Sequence, residues 1–166
     1  MRTSRLIATF GGIGLLRPAP GTWGSLAALP LGYLLHGLGG FPLLALATLI
    51  VIATGIYAIR AEEVATGNHD AGEIVIDEVA GQWIALWPLS AGLWHAGLDP
   101  WLFPYPGWVG AFLMFRLFDI WKPGPVGWAD RKGGAVWVMA DDLIAGVMAA
   151  VVVAVAAGIA HGVLGA

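Results

Sequence analysis

Long apolar blocks alternate along the chain with short polar ones. Pro18 to Ile59 is 42 residues without a Lys, Arg, Asp or Glu, Val79 to Phe115 is 37 with only Asp99, and Leu143 to Ala166 is 24 with none. A membrane-crossing helix needs about 20 apolar residues, so the first two blocks each hold two helices and the third holds one. The expected spans are Thr22 to Leu38, Phe41 to Ile59, Val79 to Leu98, Gly107 to Trp121 and Leu143 to Leu164. The predicted fold is all-α: a polytopic helical membrane protein of about five spans, forming one domain over 1–166. Pro30 and Gly32 lie inside the first span and leave open a re-entrant segment there.

The polar blocks fall on one side. Arg60 to Glu78 and Arg116 to Asp142 hold 7 and 8 of the 19 charged residues, and the N-terminal segment adds Arg2, Arg5 and Arg17. Five spans separate these three segments by two helices each time, which gathers every Lys and Arg, with the N-terminus, on the side that the positive-inside rule makes cytoplasmic. The far side receives the Gly-Gly turn near Gly39, a loop from Asp99 to Pro106 with Trp101 and Tyr105, and the C-terminus.

Composition agrees with lipid as the solvent. Charged residues are 11% and hydrophobic ones 58%, where a soluble chain carries about a quarter charged. The absence of cysteine excludes thiolate chemistry. Met1 to Gly14 lacks an apolar stretch ending in a small-residue cleavage site, so no removable signal peptide is expected. No nucleic-acid partner is expected. The small-residue run GVMAAVVVAVAAG at 146–158 permits close helix contacts within or between chains, so a homo-oligomer stays open.

The candidate chemistry is carboxylate chemistry. Asp70, Glu73 and Asp77 follow i, i+3, i+7 and would share one helix face. Asp77 and Glu78 then sit where that helix enters the membrane, with Gly81 one turn further, open to close approach by a helix or a ligand. Arg116, Asp119 and Lys122 form a stripe at the end of the fourth span, which Pro123 stops. Asp141 and Asp142 open the last span near a helix N-terminus, with Gly146 one turn inside. Two acidic pairs, each backed by a small residue, suggest a site for a hard divalent cation such as magnesium. At the N-terminal side, Arg17 with the helix start at Gly21 and Thr22 suggests an anion site.

Structural alternatives exist for each feature. Acidic residues are favoured at helix N-termini whatever the function, and Arg116 with Asp119 serves equally as an interfacial pair. Glu62, Glu63 and Asp99 read as solvated loop charges, and His36, His95 and His161 have no second ligand at metal spacing.

Four stretches carry a resemblance: RPAPGTWGS at 17–25, HDAGEIVIDEVAG at 69–81, FRLFDIWKPGP at 115–125 and MADDLIAG at 139–146. In this order they resemble the motifs of the phosphatidylglycerophosphatase A family. The resemblance implies a bacterial inner-membrane phosphatase that uses magnesium to remove the terminal phosphate of phosphatidylglycerophosphate, a lipid of the cytoplasmic leaflet. The motif residues carry over as Asp70, Asp77, Glu78, Asp119, Lys122, Asp130, Asp141 and Asp142. One position departs: Trp137 stands where the family pattern places a glycine, in the expected loop from Gly133 to Met139.

For a phosphate monoester, catalysis is mainly charge neutralisation and alignment. The expected roles are metal ligation by Asp77, Glu78, Asp141 and Asp142, and phosphate binding by Lys122, Arg131 and Arg17 with Gly21 and Thr22. One carboxylate, Asp119 or Asp77 before the others, would act as base or orient the water; Asp141 and Lys122 count with these two as catalytic residues, and an aspartate acting as covalent nucleophile stays open. A second lipid head-group phosphotransferase class would share this acidic face, and a small ion or solute transporter would use similar carboxylates but place them along the spans.

Overall fold

The structure is a computed structural model that describes residues 2–68 and 71–164. Among the described residues it is all helical: α1 (Thr3–Ala8), a 3-10 turn (Ile13–Leu15), α2 (Pro20–Thr66), α3 (Ile76–His95), α4 (Tyr105–Trp121), α5 (Pro125–Asp130) and α6 (Ala135–Leu164). Two helices are long and apolar enough to cross a membrane, Pro20–Thr66 and Ala135–Ala160.

α2 is two arms, 20–38 and 41–66, joined where Gly39 and Gly40 leave helical geometry. Gly40 takes a positive φ of 63° against the Trp94 ring, a place a side chain would not fit. Both arms lie along α3. The Trp83 indole donates to the Ala28 carbonyl and His36 Nδ1 pairs with Ser90 Oγ, so the first arm runs with α3. Trp87 lies on Thr48, and Gly55 faces Ile76, so the second arm runs back. The Gly-Gly turn is therefore where the apolar pattern placed it. His36 is a buried, hydrogen-bonded core histidine.

α3 is the centre of the bundle. Twelve of its residues are buried, from Ile76 to Leu93, because α2, α4 and α6 all pack on it. Phe115, Leu86, Val79 and Ala145 form the interior there. α6 is the outer contrast: Val147, Val151, Val155 and Ile159 are more than half exposed, as suits an apolar helix facing lipid.

Three expectations are corrected. The second arm of α2 continues helically to Thr66, so Glu62 is no loop charge: it is buried and accepts the Ser4 hydroxyl at 2.6 Å. Glu63 is in the same helix. Helix α3 starts only at Ile76, so Glu73 sits in a turn and shares no helical face with Asp77; Asp70 and His69 lie outside the described residues.

Candidate active site

The two acidic pairs meet because two helices touch at glycine. Asp77 and Glu78 occupy the first turn of α3, where carboxylates are favoured by the helix dipole. One turn further, a Cβ on Gly81 would collide with the Asp142 carbonyl and the Phe115 ring, and one on Gly146 would collide with the Gly81 carbonyl. The backbones of α3 and α6 therefore cross in contact just past both pairs. Oxygens of Asp77, Glu78 and Asp142 consequently lie within 4.8 Å of one another. Asp77 and Asp142 are buried, and Glu78 Oε2 is a buried oxygen without a hydrogen-bond partner. Three carboxylates this close in a shielded place repel strongly, and such a set suits a hard cation.

The placement of the second pair differs from expectation. α6 begins at Ala135, after Gly134 with a φ of +99°, so Asp141 and Asp142 sit nearly two turns inside the helix. The dipole of an N-terminus does not account for them. The stretch before them is helix from Ala135 on, and Trp137 belongs to its first turn rather than to a loop. Consecutive helical residues point about 100° apart. Asp142 accordingly joins the three-carboxylate cluster, while Asp141 accepts a hydrogen bond from Lys122 Nζ at 2.9 Å.

Lys122 leaves the stripe it was expected to share with Arg116 and Asp119. Pro123 disfavours helix at the residue before it, and Lys122 ends α4 in the left-handed conformation, φ 50°. This turn carries its ammonium to Asp130 of α5 as well as Asp141. Burial works against its charge, yet the hydrogen bonds and attraction of these two carboxylates outweigh it and hold Lys122 above the usual lysine range. Its positive charge is reinforced by both partners. Arg116 Nη1 pairs with Asp119 Oδ2 at 2.5 Å and reaches Ser25 Oγ at 3.4 Å, tying α4 to α2 beside the cluster.

The three-carboxylate cluster, Asp119 and the Lys122 group line one cavity of ≈ 190 Å³, with Arg116 behind it. Six carboxylates face it, Asp77, Glu78, Asp119, Asp130, Asp141 and Asp142, against two lysines, Lys122 and Lys132, a formal excess of four negative charges. An anionic substrate would be repelled from such a place unless further cations accompanied it. Lys132 was missed from sequence. Its ammonium lies 3.9 Å from the ring centre of Trp128 and 4.2 Å from that of Trp137, a cation–π seat whose only sequence trace is a lysine set between two tryptophans.

The remaining predicted phosphate binders are elsewhere. Arg131 is not among the cavity's lining residues. Arg17 lies 3.8 Å from Glu73 in a neighbouring cavity, which shares Gly72 and Ile74 with the first. The Thr22 and Trp23 N–H groups donate to the Ala19 carbonyl, and Pro20 has no N–H, so three of the first-turn positions of α2 offer no free donor. Gly21 matters through its missing side chain: a Cβ there would collide with the Glu78 carboxylate and approach Arg116.

The sequence profile described as Phosphatidylglycerophosphatase A matches residues 6–157. A protein of Escherichia coli named Phosphatidylglycerophosphatase A is 40% identical over 147 residues, covering 87% of this chain and 78% of that one. One of Haemophilus influenzae with the same name is 37% identical, covering 89% and 85%. A Bacteroides thetaiotaomicron protein provisionally named as a phosphatidylinositol-3-phosphatase is 37% identical, covering 91% of each. No solved structure matches the chain.

Proposed function

The chain belongs to the phosphatidylglycerophosphatase A family of phosphoric monoester hydrolases, and on that premise we propose that it hydrolyses the terminal phosphate of phosphatidylglycerophosphate, with magnesium, at the cavity between α3, α4 and α6. The carrying observation is the cluster of Asp77, Glu78 and Asp142 oxygens within 4.8 Å beside the Lys122 ammonium. The products are phosphatidylglycerol and inorganic phosphate.

The residues present fit a divalent cation: three hard oxygen donors converge, and one of them, Glu78 Oε2, is otherwise unpartnered. Asp77, Glu78 and Asp142 would hold it, with Asp141 kept to Lys122. Magnesium bound there supplies charge neutralisation for the phosphate oxygens and a more acidic water.

This chain's side chains do the rest. Lys122, fixed from behind by Asp130 and Asp141, offers its remaining N–H to a phosphate oxygen. Lys132 brings a second positive charge to the same cavity. Asp119, held by Arg116, is the base. As water oxygen bonds to phosphorus and the bond to the glycerol oxygen breaks, the water's proton passes to Asp119 and then to the leaving oxygen, so the proton count closes.

The same reading sets the topology. The two arms of α2 with α3, α4 and α6 form five passes, the cavity opens at the cytoplasmic face, and the membrane is the bacterial inner membrane. Arg5, Arg17, Arg116 and Lys122 all lie at the cavity end of the bundle, the distribution the positive-inside rule requires.

The test is phosphate release by the purified protein in detergent, with magnesium and after chelation, using phosphatidylglycerophosphate and, in parallel, phosphatidylinositol 3-phosphate. Metal-dependent turnover of the first in preference to the second is expected. Preference for the inositol lipid would move the reading to the activity named for the Bacteroides relative. Full turnover in chelator would overturn the metal assignment.

A further inference from the structure

Lys132 lines the acidic cavity yet stands on aromatic faces. Its ammonium is 3.9 Å from the ring centre of Trp128 and 4.2 Å from that of Trp137, and no carboxylate of the described residues forms an ion pair with it. The two indoles meet edge to face, with centroids 5.2 Å apart and planes at 89°, which brings the ammonium close to both rings at once. Six carboxylates face the same cavity, and a flexible four-carbon stem lets a lysine reach oxygens around it. The aromatic seat therefore competes with strong alternatives.

The seat is fixed to the cavity from both sides. Trp128 belongs to α5, whose Asp130 accepts from Lys122 and whose Gly127 lies so close to the Lys122 carbonyl that a Cβ would collide with it. Trp137 stands on α6 four residues before Asp141, and so on the same helix face. The two lysines of the cavity thereby differ in kind. Lys122 is matched by two carboxylates, Asp130 and Asp141, so its group carries a net negative charge. An indole attracts a cation through its quadrupole and carries no charge of its own, so Lys132 keeps its positive charge uncancelled by a partner. An anion entering a place with excess carboxylates needs such a charge.

Resting on the function proposed above, we infer that Trp128 and Trp137 are positioning residues, which hold the Lys132 ammonium off the carboxylates and present its charge to the phosphate group of the substrate. Loss of either indole lets the lysine fall onto a carboxylate. The phosphate then loses a cation although the protein keeps every charge it had.

The test is calorimetric binding of inorganic phosphate to the purified protein in detergent with magnesium. It compares wild type with Trp137→Leu, Trp137→Phe, Lys132→Met and a variant carrying both Trp137→Leu and Lys132→Met. Trp137→Leu and Lys132→Met should each weaken phosphate binding about tenfold. Trp137→Phe keeps an aromatic face and should stay within about threefold of wild type. The double variant should bind no worse than Lys132→Met alone, because the indole acts only through the lysine. Unchanged affinity in Trp137→Leu would overturn the inference, and so would an effect that adds to that of Lys132→Met, since the tryptophan would then act on the fold of the loop. Where thermal unfolding shows that Trp137→Leu is not folded, Trp128→Leu takes its place in the same cycle. Phosphate release from phosphatidylglycerophosphate by the wild type, measured in parallel, separates the two readings. Turnover with unchanged, additive or absent phosphate binding overturns the positioning role alone. The expected binding pattern without turnover overturns the parent reading and leaves the seat to a different phosphate ligand; neither turnover nor binding in folded wild type overturns both.

Discussion

Two polar cavities lie side by side at one end of the bundle, sharing Gly72 and Ile74 as a wall, and their charges are arranged on opposite principles. In the cavity of Arg5 and Arg17, two arginines meet two glutamates. Arg5 pairs with Glu73 at 2.6 Å, Arg17 stands 3.8 Å from it, and Ser4 serves Glu62. In the cavity of Asp77, six carboxylates meet two lysines and a buried Glu78 oxygen has no partner. Satisfied pairs fasten α1 to α2 and to the turn before α3; in the other cavity like charges crowd together, a repulsion that a bound cation or a proton relieves. A shortage of partners, rather than the number of charges, is what sets the cavity proposed as the active site apart from its neighbour.

Loss of a cluster carboxylate should have the largest effect. Asp77→Asn is expected to lower phosphate release about 10³-fold, the scale of removing a group that acts on developing charge, while near-native thermal unfolding in detergent shows that the bundle persists. Wild-type turnover in this variant would dissolve the contrast between the two cavities. Lys122→Ala comes next, with a fall of about 10²-fold, because it removes a phosphate contact and leaves Asp130 and Asp141 unneutralised. Steady-state kinetics of Lys122→Arg sharpens this: a planar guanidinium on a residue with φ 50° should not restore the ammonium's position.

The helix crossing is a more indirect lever. Gly146→Ala places a methyl against the Gly81 carbonyl, and overpacking of this kind costs about 1–3 kcal/mol. A lower unfolding temperature and a weaker apparent magnesium affinity should appear together as α3 and α6 separate. The smallest effect belongs to the other cavity. Glu73→Gln removes a partly exposed ion pair with Arg5, worth about 0.2–1 kcal/mol, and turnover should stay within twofold. A larger loss would show that this cavity also handles substrate.

Much of this was legible in the order of residues. The apolar blocks located the first arm of α2, α3, α4 and the Gly39 turn to within three residues, since hydropathy and backbone freedom are local demands; the second arm of α2 and α6 run seven and eight residues beyond them. The acidic pairs and the small residues one turn behind each were visible too, and Gly81 with Gly146 turned out to be the crossing itself. The errors lie where local pattern competes with packing. Asp70, Glu73 and Asp77 had helical spacing, but Glu73 is drawn to Arg5 and α3 starts after it. Ala135 to Met139 extend α6 before the acidic pair because Ala135 and Met139 find buried places in the bundle. Lys132 was illegible: a lysine between two tryptophans becomes a seated cation only when α5 and α6 bring Trp128 and Trp137 to a centroid distance of 5.2 Å.

The sequence by itself determined that the protein is helical and apolar, that its charges congregate, and which residue types could do phosphate chemistry, because these depend on composition and on neighbours a few positions apart. Tertiary structure alone decided which carboxylates meet. Asp77 and Asp142 are 65 positions apart, and their meeting depends on two glycines letting two backbones touch. It also decided that Asp141 faces Lys122 while Asp142 faces the cluster, since the rotation of a helix about its axis is set by the surfaces it packs against, and the sequence states only the angle between the two side chains.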